Sequence, residues 1–450
     1  MNRILNLTAY DSTSELADAA DEFEREMGLQ NRKGARPNQA AQLVEIGPEI
    51  LELFHCGCEP YASYTADGCL QTFALRDQRI KDRVGRQFES RYGNPPNKDA
   101  WGAAFESLRW RALDGPEIRV GIRVLDEDNR IWLDLGNDKR QVIEITASAW
   151  RVLEAAQVPV RFVRTPDSLP LPVPQPGGSL AGLRALINVD DVDFPLVCGW
   201  LCGGLRPSIA CAAMVVTGAH RSAKTTLCRI LRRLIDPSRA DMLVAPTSEE
   251  QVMLTANNQW VLALENMSTI PAWFSDTLCC IVTGAARTTR KLYTNSELFS
   301  ISLRRPVIIN SIADVVARGD LADRCLNVTA QPLSHAQRLL DADLWGRFEQ
   351  VWPQLLGGLL DCCSTALRRQ QEVSARPCAR PLLRPHRTRM ATGRSTRLET
   401  SSSVRLRTAP TVLPECSPCL DVLSAKRALH EKVTHGSTIQ ARKIRLMQPA

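Results

Sequence analysis

The sequence predicts an α/β fold built on a parallel sheet, and three stretches carry that expectation. Residues 212–216 form a short apolar run suited to a buried strand. A loop follows, and residues 225–235 then place apolar side chains at helical spacing before Asp236-Pro237 stops the helix. Two later apolar runs, 259–266 and 305–310, each finish in polar residues. Strand, loop and helix thus come in the order a phosphate-binding site requires.

The loop itself reads Gly218-Ala219-His220-Arg221-Ser222-Ala223-Lys224-Thr225-Thr226. Gly218, Lys224 and Thr225 satisfy the pattern G-x-x-x-x-G-K-[ST], with Ala223 where the second glycine is expected. Backbone amides at the start of the helix, helped by its dipole, face a polyphosphate in such a loop. Lys224 then reaches the β- and γ-phosphates, and the Thr225 hydroxyl ligates Mg²⁺. Without the rest of the chain, the same residues could be an ordinary βα unit.

Each later strand end adds a chemical group. Glu265 and Asn266 close the 259–266 run, where a P-loop ATPase keeps its second acidic motif. Glu265 is placed to hold Mg²⁺ through water, and Asn266 to orient the attacking water. Asn310 closes the 305–310 run. Arg318 and Arg324 follow in Arg318-Gly319-Asp320-Leu321-Ala322-Asp323-Arg324. Arg324 is the first choice for a cation that acts on a neighbour's γ-phosphate, and Arg318 the reserve. For either arginine the competing reading is a surface ion pair with Asp320 or Asp323.

The loop, residues 260–266, 305–310 and 320–324 together resemble a family of bacterial and phage ATP-binding proteins. That family is related to phage primase–helicases and, more distantly, to the superfamily 3 helicases among the AAA+ ATPases. The resemblance spans residues 61–367 and is strongest over the ATPase core. It implies a P-loop NTPase core, ATP and Mg²⁺ as cofactors, Asn310 as the γ-phosphate sensor, and a homo-oligomeric ring. Ala223 is usual in the family, whereas Arg221 replaces a common Gly and Glu265 a common Asp. Arg221 therefore faces a backbone cost if its φ is positive. Fold and ATPase class transfer more readily than DNA unwinding does.

Residues 286–304 read as a hairpin with its turn at 294–297. A hairpin at this place in superfamily 3 helicases projects into the pore and grips DNA. Here Arg287, Arg290, Lys291, Arg304 and Arg305 gather near its base with Tyr293 among them, a mixture suited to single-stranded DNA. A solvated hairpin with protective charges is the alternative.

Composition frames the rest. A chain of 450 residues, 44% hydrophobic, can bury two or three cores. Its fifteen cysteines lack framework spacing and point to reduced thiols in a cytoplasmic protein. Cys56-Gly57-Cys58, with His55 and Cys69, and Cys416-Ser417-Pro418-Cys419 are weak zinc candidates because neither has a convincing second half. Residues 1–7 lack the apolar core of a secretory signal, and Arg206-Pro207 interrupts the greasy stretch 194–216, so no membrane segment is expected.

The expected organisation is a polar arm over 1–50 with a helix at 14–27, an α+β accessory module over 51–165, and a Pro-rich linker over 166–178. The ATPase core follows over 179–330, then a helical lid or bundle over 331–372 and a basic tail over 373–450. Residues 376–450 hold fifteen Lys or Arg against four Asp or Glu, a net +11, so the whole-chain +7 leaves the body at −4. Arg, Pro, Ser and Thr recur in this tail without period, and disorder is its default reading. It reads equally as an authentic basic arm or as translation of a shifted frame. The functional expectation is a DNA-directed ATPase of phage or mobile-element replication. Its rivals are a nucleotide-dependent scaffold that hydrolyses slowly and a decayed mobile-element remnant.

Overall fold

The structure is a computed structural model. It describes residues 38–374 apart from 286, 291–297, 302, 313–314 and 335–337. The helix expected at 14–27, the tail from 375 onward, and Lys291 and Tyr293 of the hairpin lie outside the described residues. Two compact units divide the chain at Arg119/Val120.

In the first unit, α1 (Gln39–Ile50) is capped by Asn38, whose side chain accepts from the Ala41 amide. Strands β1 (Glu52–Cys56), β2 (Glu59–Ala66) and β3 (Cys69–Ala74) form an antiparallel meander, followed by α2 (Gln78–Tyr92) and α3 (Lys98–Leu113). Ile80, Val84 and Phe88 recur at every fourth residue, so one stripe of α2 is buried with Leu43 and Ile46 of α1 and Ala104 and Leu108 of α3. Residues 39–50, expected in a polar arm, are therefore a core helix. The Cys56-Gly57-Cys58 cluster is the β1–β2 turn, with Gly57 at φ 57° and Cys56 paired to Glu59. Among the described residues no group of three or more His, Cys, Asp or Glu could hold a metal ion.

The second unit opens with β4 (Val120–Gly121), which pairs with β9 (Arg161–Phe162). Between them β5 (Val124–Glu127), β6 (Arg130–Asp134), β7 (Gln141–Ile145) and β8 (Trp150–Glu154) make an antiparallel sheet in that order. Asp128 and Asn129, at φ 51° and 58°, form the tight β5–β6 turn. Ile131, Leu133, Ile143 and Ile145 enter the same apolar cluster as the parallel core described next. The module expected over 51–165 is thus two pieces, and its second half belongs to the core unit. The Pro-rich run is not a free linker either. Leu171 is buried, Gln175 donates its amide to Pro353 O at 2.9 Å, and a Cβ on Gly178 would fall 1.8 Å from Gln354 O. Extended prolines here form a strap pressed on a helix.

The parallel sheet runs β11 (Leu262–Met267), β14 (Val307–Ser311), β10 (Ala213–Thr217), β15 (Cys325–Thr329). Side chains alternate between two layers, as a strand's period of two requires. Met214, Val216, Ala263, Ile308 and Val328 face α4 (Phe194–Gly203) and α5 (Lys224–Ile235). Ala213, Val215, Leu262, Leu264, Val307 and Ile309 face α6 (Glu249–Asn258) and α7 (Ala272–Thr283). The final elements are α8 (Gly319–Ala322) and the long α9 (Asp341–Ser374). Phe348, Leu355, Leu356, Leu359, Leu360, Cys363 and Leu367 of α9 are buried in the first of these layers. Of the lid or bundle expected over 331–372, it is the packed helix that is found, set into the core. No helix among the described residues is long and apolar enough to cross a membrane.

Candidate active site

Open parallel sheets bind ligands beyond the carboxyl ends of their strands, where the chain's path reverses direction across the sheet. Here the chain leaves β10 for β11, returns to β14 between them, and then crosses to β15 on the other side. Gly218, Glu265, Asn310 and Ala330 therefore gather at one edge.

Gly218 leaves β10 at φ 150°, where a Cβ would lie 2.6 Å from Ala330 O and 2.8 Å from Ser222 Oγ. Arg221 and Ala223 both take left-handed backbone, at φ 63° and 58°. The cost foreseen for Arg221 is thus present, and Ala223 repeats it at the N-cap of α5. Lys224 is buried, and its Nζ donates to Gly218 O at 3.0 Å and Ala219 O at 2.8 Å. This curls the ammonium over the loop's concave side. Ser222 Oγ is buried without a hydrogen-bond partner among the described residues. A buried donor left in this state is suited to an anionic oxygen.

Asn310 Nδ2 donates to Thr225 Oγ1 at 2.9 Å, so the sensor-type asparagine touches the predicted Mg²⁺ ligand directly. Thr226 is half-buried on the next step of α5. On β11 the register slips between Leu264 and Met267, leaving Glu265 and Asn266 to span a bulge with Asn266 at φ 53°. Bulges re-aim side chains beside active sites. Glu265 ends half-buried and Asn266 exposed. Burial pushes the Cys228 thiol well above its usual range; the charge of Glu265 adds to the rise and that of Lys224 opposes it. Both charges thus bear on one point in α5. Backbone amides, a cation, a hydroxyl, a carboxylate and a polar amide make a set that fits a nucleoside triphosphate and Mg²⁺.

Two supporting residues escaped the sequence reading. Asn188 Nδ2 donates to Ser222 O at 2.9 Å and also to Gln331 O, tying the loop to the segment beyond β15. Asp193 Oδ2 accepts from the Thr329 amide at 2.9 Å. No pattern marks either residue, because their partners are remote in sequence.

The arginines separate by position. Arg324 immediately precedes β15, and β15 pairs with β10 from Ala213–Cys325 to Thr217–Thr329. Arg324 therefore stands at the opposite edge of the sheet from its own phosphate loop, roughly 20 Å of strand away. It pairs with Asp320, and Arg318 pairs with Asp276 at 3.0 Å. Cys279 and Arg324 hold the Asp320 carboxyl below the usual range.

The expected hairpin is present, with β12 (Arg287–Arg290) antiparallel to β13 (Leu298–Ile301) and Arg290 opposite Leu298. Arg304 departs from its expected role. Its guanidinium donates to Thr283 O at 3.1 and 3.0 Å and to Pro207 O at 2.8 Å, which caps α7. Arg305 donates to Ala256 O at 2.7 Å and stacks 5.0 Å from the Trp260 ring centre, and burial pushes its pKa down to about 10. These two arginines anchor the hairpin root, and Arg287 and Arg290 are the basic residues of β12 itself.

Residues 181–377 match the family model described as actinomycete integrative conjugative element replication protein. That match begins just past the strap and covers the parallel core and α9. No curated protein matches the chain significantly. Among solved structures, the apo C-terminal region of NrS-1 is similar at 12% identity and TM-score 0.41, over 71% of this chain and 68% of that one. Cch of SCCmec type IV, described as an active helicase, gives 12% and 0.40, over 72% and 62%. JCV helicase gives 12% and 0.26, over 44% and 60%. The chain thus spans less than two thirds of Cch and of JCV helicase.

Proposed function

We propose that this chain is an ATP-binding, ATP-hydrolysing P-loop protein that acts as a helicase-like motor on single-stranded DNA in mobile-element replication. The observation that carries the reading is the Asn310–Thr225 hydrogen bond, at 2.9 Å, beside a loop whose Lys224 ammonium already faces inward. It joins the strand between β10 and β11 to the helix that follows the phosphate loop. The match of residues 181–377 to replication proteins supports the same reading.

Bound ATP and Mg²⁺ supply the transferable phosphoryl group and a neutralising charge. Lys224 exchanges its loop carbonyls for phosphate oxygens, and the α5 amides with Ser222 Oγ cradle them. Thr225 and Glu265 hold the metal, Glu265 through water. Asn310 fixes the Thr225 hydroxyl, and Asn266 with Asn310 places the attacking water. Arg324 acts on a neighbouring subunit in a homo-oligomeric ring, with Arg318 as reserve; its place at the far sheet edge supports action in trans. Arg287 and Arg290, with Lys291 and Tyr293, contact DNA.

The test is ATP hydrolysis by the purified chain, with and without single-stranded DNA, beside Lys224→Ala. Turnover stimulated by DNA and lowered by about 10²-fold or more in Lys224→Ala is the expected result. Tight binding of ATP with negligible turnover, indifferent to DNA, would instead leave a nucleotide-gated scaffold.

A further inference from the structure

The first unit carries a net negative charge, with ten Lys or Arg against twelve Asp or Glu over residues 38–119. Its positive charge is nevertheless gathered in one place. Arg76, Arg79, Lys81, Arg83 and Arg86 fall within eleven residues on and just before α2, where the acidic residues are Asp77 and Asp82. All five cations are exposed. Arg79, Arg83 and Arg86 are three or four residues apart and so share one flank of the helix.

That flank borders aromatic side chains of the meander. Tyr64 and Phe73 lie against each other with ring centres 5.6 Å apart. The Arg79 guanidinium stacks 4.0 Å above Phe73, and Arg83 lies 5.4 Å from the half-buried Tyr64 ring. Asp77 grips Arg79 with two hydrogen bonds, 2.9 and 2.7 Å, which fixes its plane. Arg76, Arg83 and Arg86 have no carboxylate partner among the described residues. A merely solvated helix face has no need of guanidinium planes set on rings, or of a surplus of cations in an otherwise acidic unit.

We infer that this α2 face is a nucleic-acid binding surface that takes the phosphodiester backbone of single-stranded DNA. Arg76, Arg83 and Arg86 neutralise phosphates, Arg79 is the fixed planar donor, and Tyr64 with its arginine offers a stacking platform for a base. The surface lies outside residues 181–377 and belongs to the first unit, whereas the hairpin belongs to the second. It needs neither nucleotide nor Lys224, so its success or failure is distinct from that of the proposed ATPase.

The experiment measures fluorescence anisotropy of a labelled 30-mer oligodeoxynucleotide with the full chain, without nucleotide, across a salt series. The variants are Arg76→Ser/Arg83→Ser/Arg86→Ser and the charge-preserving Arg76→Lys/Arg83→Lys/Arg86→Lys, with Lys224→Ala and Arg287→Ser/Arg290→Ser alongside. The serine variant is expected to bind at least tenfold more weakly, with the log–log salt slope reduced by about two. The lysine variant should keep most of the affinity, and Lys224→Ala all of it. Full affinity and slope in the serine variant, with loss only in Arg287→Ser/Arg290→Ser, would overturn the inference. A lysine variant as weak as the serine one would also overturn it, since charge would then not be the cause. Competition by unlabelled duplex DNA of equal length at equal affinity would overturn the single-strand assignment.

Discussion

Arg221 and Ala223 sit two residues apart with left-handed backbone, in a loop where glycine takes that conformation without a Cβ penalty. Each non-glycine residue there costs about 1 kcal/mol, offset in part by glycine's greater freedom in the unfolded chain. Arg221→Gly and Ala223→Gly should therefore each stabilise the nucleotide-free chain by up to about 0.5 kcal/mol, whereas Arg221→Ala should be close to neutral. Denaturant midpoints at constant slope check this, and a destabilised Arg221→Gly would show that the guanidinium holds the loop together. Asn310 makes the opposite case. Its side chain touches Thr225 and lies below 5% exposure, so Asn310→Ala frees the hydroxyl proposed above as a metal ligand. The expected outcome is a kcat lowered by about 10²-fold with nucleotide affinity nearly unchanged, read from turnover and from binding of a slowly hydrolysed analogue.

At the scale of elements, the joint between the antiparallel sheet and the parallel core depends on Arg123. Its fully buried guanidinium donates to Asp236 at 2.9 Å, Ser168 Oγ at 2.6 Å and Leu169 O at 2.8 Å. Asp236, just past α5, also accepts from the Trp260 and Val261 amides ahead of β11. Arg123→Ala would leave that carboxylate buried and uncompensated, at a cost of about 3–5 kcal/mol; thermal unfolding with Arg123→Ala and the double variant Arg123→Met/Asp236→Leu would separate the lost pair from lost packing. The same joint explains what the sequence could and could not convey. Strand, loop and helix from 213 to 235 were legible because the loop pattern and the apolar period both fall on neighbours along the chain. The charged strand end at Glu265, the polar end at Asn310 and the hairpin at 287–301 were legible for the same reason. The bulge at Glu265 and Asn266, the Asn188 brace and the anchoring of Arg304 were not, because each depends on a partner brought near only by folding. The strap over 166–178 misled for a related reason. Proline fixes an extended backbone equally well in a linker and against a helix, and only Gly178, Gly357 and Gly358, each too close to a facing backbone for a Cβ, distinguish the two.

For the whole molecule, the decisive geometry is the separation of Arg324 from the loop of its own chain. Strand β15 runs parallel to β10, so the residue before its first position and the residue after its last lie at opposite sheet edges. A side chain of Arg length does not bridge a strand of five residues, and a role in hydrolysis therefore requires a second copy arranged head to tail. Such an arrangement predicts complementation. Lys224→Ala and Arg324→Ala chains should each be nearly inactive alone, since one lacks the ammonium proposed to bind phosphate and the other the cation proposed to serve the neighbour. Mixed in equal amounts, they place an intact Lys224 beside an intact Arg324 at about a quarter of the interfaces. ATP turnover of the mixture should then rise well above the mean of the two separate samples, and should depend on total protein concentration. An additive mixture at every concentration would confine the activity to single chains and return Arg324 to its ion pair with Asp320. The same assay with Arg318→Ala in place of Arg324→Ala identifies which arginine crosses the interface, because only the one that does so yields complementation.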